Sequence, residues 1–262
     1  MQPSIAPDGA DHSIALVMHS VGGLAFRSWA SRRSNSPAYV LVHGIGMSHR
    51  YLSRLCTELA ADAEVHMIDL PGFGGLPKPK TSPDVAAMAR ALGTVVDELG
   101  LREATLVGHS MGAQWVVELA VQRPDLARTV VAIGPVTDDE RRGALMQSLL
   151  LARDSALEPP RANAMVLTDY TRCGPLWYAR QARHMLRYPI EDRVALLTVP
   201  LLALRGSADP IAREGWVRRL AARALAGSVS VIPGHRHLVQ HTAAASVAER
   251  IRAHARGATK LL

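Results

Sequence analysis

Cysteine is nearly absent from this chain of 262 residues, which has only Cys56 and Cys173. The two lie in different segments, at no spacing that suits a metal site or a disulfide framework, so a reducing cytoplasm is the expected setting. No apolar run comes near the roughly 18 consecutive residues of a membrane span. The start, Met1-Gln2-Pro3-Ser4, lacks a basic region followed by an apolar core, so neither export nor insertion is expected. The formal charge is +7, yet no basic tract is interleaved with aromatics; the cations are mostly Arg scattered through amphipathic stretches such as 213–223. That pattern fits a solvated surface rather than a nucleic-acid face, and leaves at most a weak field favouring anionic substrates. No internal repeat is visible, and no His, Cys and Asp set has ligand spacing, so neither a metal nor an organic cofactor is expected.

What is present is apolar residue, 48% of the chain, enough to bury one sizeable core. Residues 1–11 read as a loose polar arm. An antiparallel pair follows, 13–18 and 24–29, around a turn at Gly22-Gly23. Beyond it, short apolar runs (39–42, 105–107, 130–133, 201–204, 229–232), most of them β-branched, alternate with stretches of helical period at 48–61, 83–99, 113–123, 213–226 and 240–255. Such alternation predicts an α/β domain with a parallel sheet covered by helices on both faces. Residues 135–199 break the alternation. They are too long for a connection, read as helical, and carry Met146, Met165, Trp177, Tyr178 and Met185, which predicts a helical lid over the strand ends. The expected organisation is a core of 1–134 and 200–262 with a cap of 135–199. Trp177 and Met146 are candidates to line an apolar substrate space, although packing of the cap onto the core would use the same residues.

The stretch with most chemistry in it is Gly108-His109-Ser110-Met111-Gly112. A Ser between glycines at this spacing, after a buried strand and before a helix, can sit on a sharp turn with its hydroxyl held outward as a nucleophile. Upstream, the strand 39–42 runs into His43-Gly44-Ile45-Gly46, a tight loop suited to presenting backbone N–H groups. Ile45 and Met111 amides would then form an oxyanion hole, the second at the positive end of a helix, with Gly44 lining the substrate side. Downstream, Asp209 follows the strand 201–204 in Arg205-Gly206-Ser207-Ala208-Asp209-Pro210. His235 and His237 follow the strand 229–232. The order Ser, Asp, His is that of a nucleophile, an orienting acid and a base.

These motifs, in this order and over residues 12–255, resemble the α/β-hydrolase superfamily. His43-Gly44-Ile45-Gly46 looks like its oxyanion loop, Asp69-Leu70-Pro71-Gly72-Phe73-Gly74 like its turn after the next strand, and Gly108 to Gly112 like its nucleophile elbow. The resemblance implies a mostly parallel eight-stranded sheet with helices on both faces and a helical lid insertion. The nearest look is to carboxylesterases, perhydrolase-like enzymes and hydrolases that cleave carbon–carbon bonds in aromatic ring-fission products.

Two departures stand out. Arg236, not Gly, precedes His237, and no Pro follows at the family's distance. Counting back from the final helix puts His237 at the catalytic place, with His235 the alternative. Asp138 and Asp139 occupy the acid position that some members use, although they read more simply as caps of the next helix. His43, His109 and Asp69 read as braces for their loops. The leading expectation is a serine hydrolase of small or medium apolar carboxylic esters, acting on a small-molecule substrate through an acyl-enzyme on Ser110, with no nucleic-acid or membrane partner; a homodimer is compatible with this. The alternatives are a carbon–carbon bond hydrolase that would hold a substrate carboxylate on a lid arginine such as Arg180 or Arg183, and a ligand-binding protein of low turnover.

Overall fold

The computed structural model describes residues 14–141, 143 and 160–258. The expected arm 1–11 and Met146 lie outside them. The antiparallel opening is β1 (Ile14–Val21) and β2 (Leu24–Ser31); the strands that follow are β3 (Ala38–Val42), β4 (Glu64–Asp69), β5 (Ala104–His109), β6 (Ala127–Ile133), β7 (Leu201–Gly206) and β8 (Gly227–Ile232). They form one eight-stranded sheet in the order β1-β2-β4-β3-β5-β6-β7-β8. β2 meets β4 antiparallel, and every pair from β4 to β8 is parallel. This is the expected mostly parallel sheet.

Successive side chains of a strand point to opposite faces, and both faces are covered. Val40 and Val42 enter one apolar cluster with α2 (Val85–Glu98) and α3 (Met111–Gln122). Tyr39 and Leu41 enter the other with α1 (Ser53–Ala60). Local signals set the helix starts. The Asp84 side chain accepts from the Ala87 N–H at 2.8 Å, so α2 begins two residues after Pro83.

Between β6 and β7 lie α4 (Pro160–Cys173), α5 (Pro175–Arg187) and α6 (Ile190–Val194), the second opened by Pro175 after Gly174 at φ 71°. Two glycines receive them. A Cβ on Gly46 would lie 2.5 Å from the Tyr170 ring, and one on Gly72 would overlap Trp177. α7 (Glu214–Arg223) follows β7. The single helix expected over 240–255 is instead two, α8 (Val239–Thr242) and α9 (Ala244–Ala258). The Thr242 hydroxyl, bonded to the Leu238 carbonyl and His235 Nδ1, ties the first short turn into the preceding loop and sets it apart from the long helix.

Candidate active site

All the parallel strands end at one edge of the sheet, where ligand sites of open α/β sheets form. The loops after β3, β5, β6, β7 and β8 therefore bring Gly44, Ser110, Gly134, Asp209 and His237 to one place. Ser110, the residue between β5 and α3, has φ 56° and ψ −122°, a conformation that costs an ordinary residue strain and persists only where its surroundings impose it. The constraint is steric and polar. A Cβ on Gly108 would collide with the carbonyl of Gly112, and one on Gly112 with that of Val42. The Ser110 N–H donates to the Ile133 carbonyl at 2.9 Å, and the Ser110 carbonyl accepts from the Ala113 N–H at 3.1 Å.

His237 Nδ1 donates to Asp209 Oδ2 at 2.9 Å, with both side chains buried. The other oxygen, Oδ1, accepts from the N–H groups of Ile211 and Ala212 at 2.8 and 3.0 Å. Burial would raise the Asp209 pKa, but His237 and these two N–H donors outweigh it and hold the carboxylate below its ordinary range. Asp209 is thus both a turn residue and the partner of the histidine. Gly206 lets the two loops close on each other, since a Cβ there would strike the His235 carbonyl, which instead accepts from the Ala208 N–H at 2.9 Å. Gly134 is the seam: a Cβ there would lie 3.1 Å from the His237 ring and 3.4 Å from Asp209 Oδ2, and its neighbour Ile133 holds the Ser110 N–H.

The alternatives separate cleanly. His235 Nδ1 meets the Thr242 hydroxyl at 3.0 Å, and with His241, Arg54, Thr57 and Glu58 it lines an open groove of about 500 Å³. Asp138 is buried against Arg213 and Arg219 at 2.6 and 3.0 Å, and Asp139 pairs with Arg219 at 2.6 Å. Both aspartates are therefore ion-pair partners of α7 and its entry, and Asp138 Oδ1 also accepts from the Glu140 N–H at 3.2 Å; the helix they were expected to cap lies outside the described residues. Arg180 and Arg183 are exposed on α5, whereas Trp177, Gln181 and Met185 form its buried side. Among the described residues no group of three His, Cys, Asp or Glu is placed to hold a metal ion.

Around Ser110 the β3 loop lies very close, since a Cβ on Gly44 would sit 2.9 Å from the Ser110 Cβ. The Gly44 N–H is already engaged, donating to the Tyr51 hydroxyl at 2.5 Å. Among the described residues neither the Ile45 nor the Met111 N–H has an acceptor. Met111 is the first residue of α3, where such donors are orphaned by helix geometry. His43 braces the loop: its Nδ1 donates to the Gly44 carbonyl at 2.8 Å and its Nε2 accepts from the Leu70 N–H at 3.1 Å. Asp69 accepts from Arg27, Trp29 and His49, while Arg27 also donates to the Gly74 carbonyl. Although burial would raise it, the hydrogen bonds from His49 and the nearby His43 hold the Asp69 pKa at about 2. Trp177 packs against Phe73 with ring centroids 6.2 Å apart, its Nε1–H buried and without a partner among the described residues. Sequence reasoning missed Tyr51, because a lone tyrosine in a helical stretch carries no signal of its partners.

Two buried histidines make stability depend on pH. Burial, with a smaller effect of His237, lowers the His109 pKa from 6.5 to about 3, and burial lowers that of His43. Between about pH 6.5 and pH 3 the unfolded chain therefore binds protons that the folded protein refuses, so stability falls as the solution is acidified. His109→Gln is expected to flatten the slope of unfolding free energy against pH by up to about 1.4 kcal/mol per unit in that window. Urea denaturation at a series of pH values reads this, and an unchanged slope would mean that His109 is not held neutral.

The model of the alpha/beta hydrolase fold family matches residues 37–169. An uncharacterized protein of Mycobacterium tuberculosis is 33% identical over 107 residues, 40% of this chain and 31% of that protein. The chain thus matches less than half the length of that relative. Among solved structures, a thermophilic esterase from Thermogutta terrifontis superposes with a TM-score of 0.78 at 20% identity, covering 93% of this chain and 99% of that one. The enol-lactonase of Burkholderia xenovorans superposes with a TM-score of 0.76 at 19% identity, covering 90% and 98%. At these identities the likeness is one of fold. Among the described residues no helix is long and apolar enough to cross a membrane.

Proposed function

Because this chain belongs to the α/β hydrolase fold family, we propose that it is a serine hydrolase that cleaves small or medium apolar carboxylic esters through an acyl-enzyme on Ser110. The observation that carries the reading is the convergence at Gly134 of the strained Ser110 elbow with the His237–Asp209 pair. Ser110 Oγ attacks the ester carbonyl while His237 Nε2 takes its proton. Asp209 keeps the Nδ1–H tautomer and balances the imidazolium that forms. The Ile45 and Met111 N–H groups receive the oxyanion, an arrangement of fixed donors that favours the transition state over the ester. His237 then protonates the departing alkoxide, and water, activated by the same imidazole, releases the acid and restores Ser110.

The segment 135–199 acts as a cap. Tyr170 and Tyr178 lie over Gly46 of the oxyanion loop and Trp177 over Gly72, which supports an apolar wall beside Ser110. The outward exposure of Arg180 and Arg183 weighs against the carbon–carbon bond hydrolase reading, which needs a cation facing the substrate.

The test is treatment with a fluorophosphonate, with intact-mass and peptide mapping, beside turnover of p-nitrophenyl acetate, butyrate and octanoate. A single adduct on Ser110 that removes turnover is expected, with the rate trend along the series sizing the acyl space. Turnover that survives complete labelling, or labelling elsewhere, would reject the reading.

A further inference from the structure

Ser110, Asp209 and His237 do not account for a chain of buried polar contacts that crosses beneath them. The Gly44 N–H donates to Tyr51 Oη at 2.5 Å, Tyr51 Oη meets His109 Nδ1 at 2.8 Å, and His109 Nε2 meets the His237 carbonyl at 2.9 Å. Tyr51 is fully buried, and His109 and His237 nearly so, at 2% and 4% exposure. The rings pack along the same path, Tyr51 to His109 edge-on with centroids 5.2 Å apart and His109 to His237 tilted at 4.8 Å.

The direction of every hydrogen in this chain is fixed by elimination. A carbonyl oxygen only accepts, so His109 carries its proton on Nε2. A neutral imidazole then has a bare Nδ1 that must accept, which makes the Tyr51 hydroxyl the donor to it. The Tyr51 oxygen is left to accept from Gly44. The order is Gly44 N–H to Tyr51 O–H to His109 to His237 C=O, and burial keeps His109 in the neutral form that this order requires.

The two ends are the two halves of the proposed machinery. Gly44 immediately precedes Ile45, whose N–H is a proposed oxyanion donor, so fixing the Gly44 peptide fixes the loop that aims that donor. His237 is held at its side chain by Asp209 and at its main chain by His109. We propose that Tyr51 and His109 are positioning residues that lock the oxyanion loop and the base to each other across the nucleophile. This rests on the serine-hydrolase reading above. Neither side chain touches the reacting atoms; each acts through the backbone of a residue that does. A misplaced donor loses catalysis without losing substrate binding, because the oxyanion forms only on the way to the transition state.

Tyr51→Phe keeps the ring and removes the link. Its kcat for p-nitrophenyl butyrate is expected to fall by about 10-fold to 100-fold with KM within about 2-fold, the pattern of an interaction made in the transition state. Affinity for a trifluoromethyl ketone, which binds Ser110 as a tetrahedral oxyanion, is expected to fall in parallel. A merely structural role would leave the ratio of ketone affinity to KM unchanged, and that result in a folded variant would overturn the proposal. If Tyr51→Phe fails to fold, a pair at the next link decides. His109→Gln keeps a donor and an acceptor and is expected to retain most activity, whereas His109→Leu keeps neither and is expected to lose it. Equal activity of the two would overturn the proposal. A wild-type protein that fluorophosphonate does not label at Ser110 would reject the serine-hydrolase reading and the lock with it. Labelled wild type beside an unaltered Tyr51→Phe rejects the lock alone.

Discussion

Ser110→Ala is expected to lower kcat for p-nitrophenyl butyrate by roughly 10⁴-fold or more, with KM changed by no more than a few-fold. The substitution removes one oxygen and little else. Alanine shares the Cβ of serine, so the strain at φ 56° is unchanged, and the two backbone bonds that hold the turn, to Ile133 and from Ala113, remain. The melting temperature should therefore move little, which separates loss of chemistry from loss of fold. Some turnover above the uncatalysed rate should persist, because the Ile45 and Met111 N–H groups still face the carbonyl and can stabilise attack by water. Steady-state rates beside a thermal melt check both halves. Equal rates in the two proteins would mean that ester cleavage takes place elsewhere on the molecule.

How much of this was legible in the sequence depends on whether the determinant is local. The strand runs 39–42 and 130–133 announce themselves because a strand buried on both faces must be apolar at every position. The elbow is legible for a different reason. Gly108 and Gly112 are required by backbone collisions with residues a few positions away and with the adjacent β3, and only glycine relieves such collisions. The candidate acid and base were readable as loop residues after strands; counting back from the final helix already favoured His237 over His235, and the tertiary partners, Asp209 for one and Thr242 for the other, separate them. Tyr51, Asp169 and Gly134 were not legible. The buried Asp169 accepts from the Ser48 hydroxyl at 2.6 Å across 121 residues of chain, tying α4 to the segment that follows β3, and no local pattern encodes such a pairing. The helix expected over 240–255 is broken at Ala243, where the helical period continues but Thr242 bonds back to Leu238 and to the loop residue His235, contacts that a helical period does not show.

The choice of acid gives the second large effect. Asp209→Asn is expected to lower kcat/KM near neutral pH by roughly 10⁴-fold, whereas Asp138→Asn should leave it within a few-fold. In Asp209→Asn the carboxamide oxygen can still accept from Ile211 and Ala212, so the turn survives and the amide NH₂ takes the place of Oδ2 opposite His237. Nδ1 must then accept rather than donate. The imidazole proton moves to Nε2, and the atom that should take the Ser110 proton already carries one. Asp138 faces two guanidinium groups instead, and its loss weakens ion pairs whose arginines are about a third exposed, at 32% and 38%. That change should appear as destabilisation of about 1 to 3 kcal/mol in denaturant unfolding rather than as lost turnover. Measuring both variants for rate and stability gives a crossed pattern. If Asp138→Asn were the inactive protein and Asp209→Asn only the less stable one, the acid would sit after β6, and the bond between Asp209 and His237 would be a brace rather than part of the reaction.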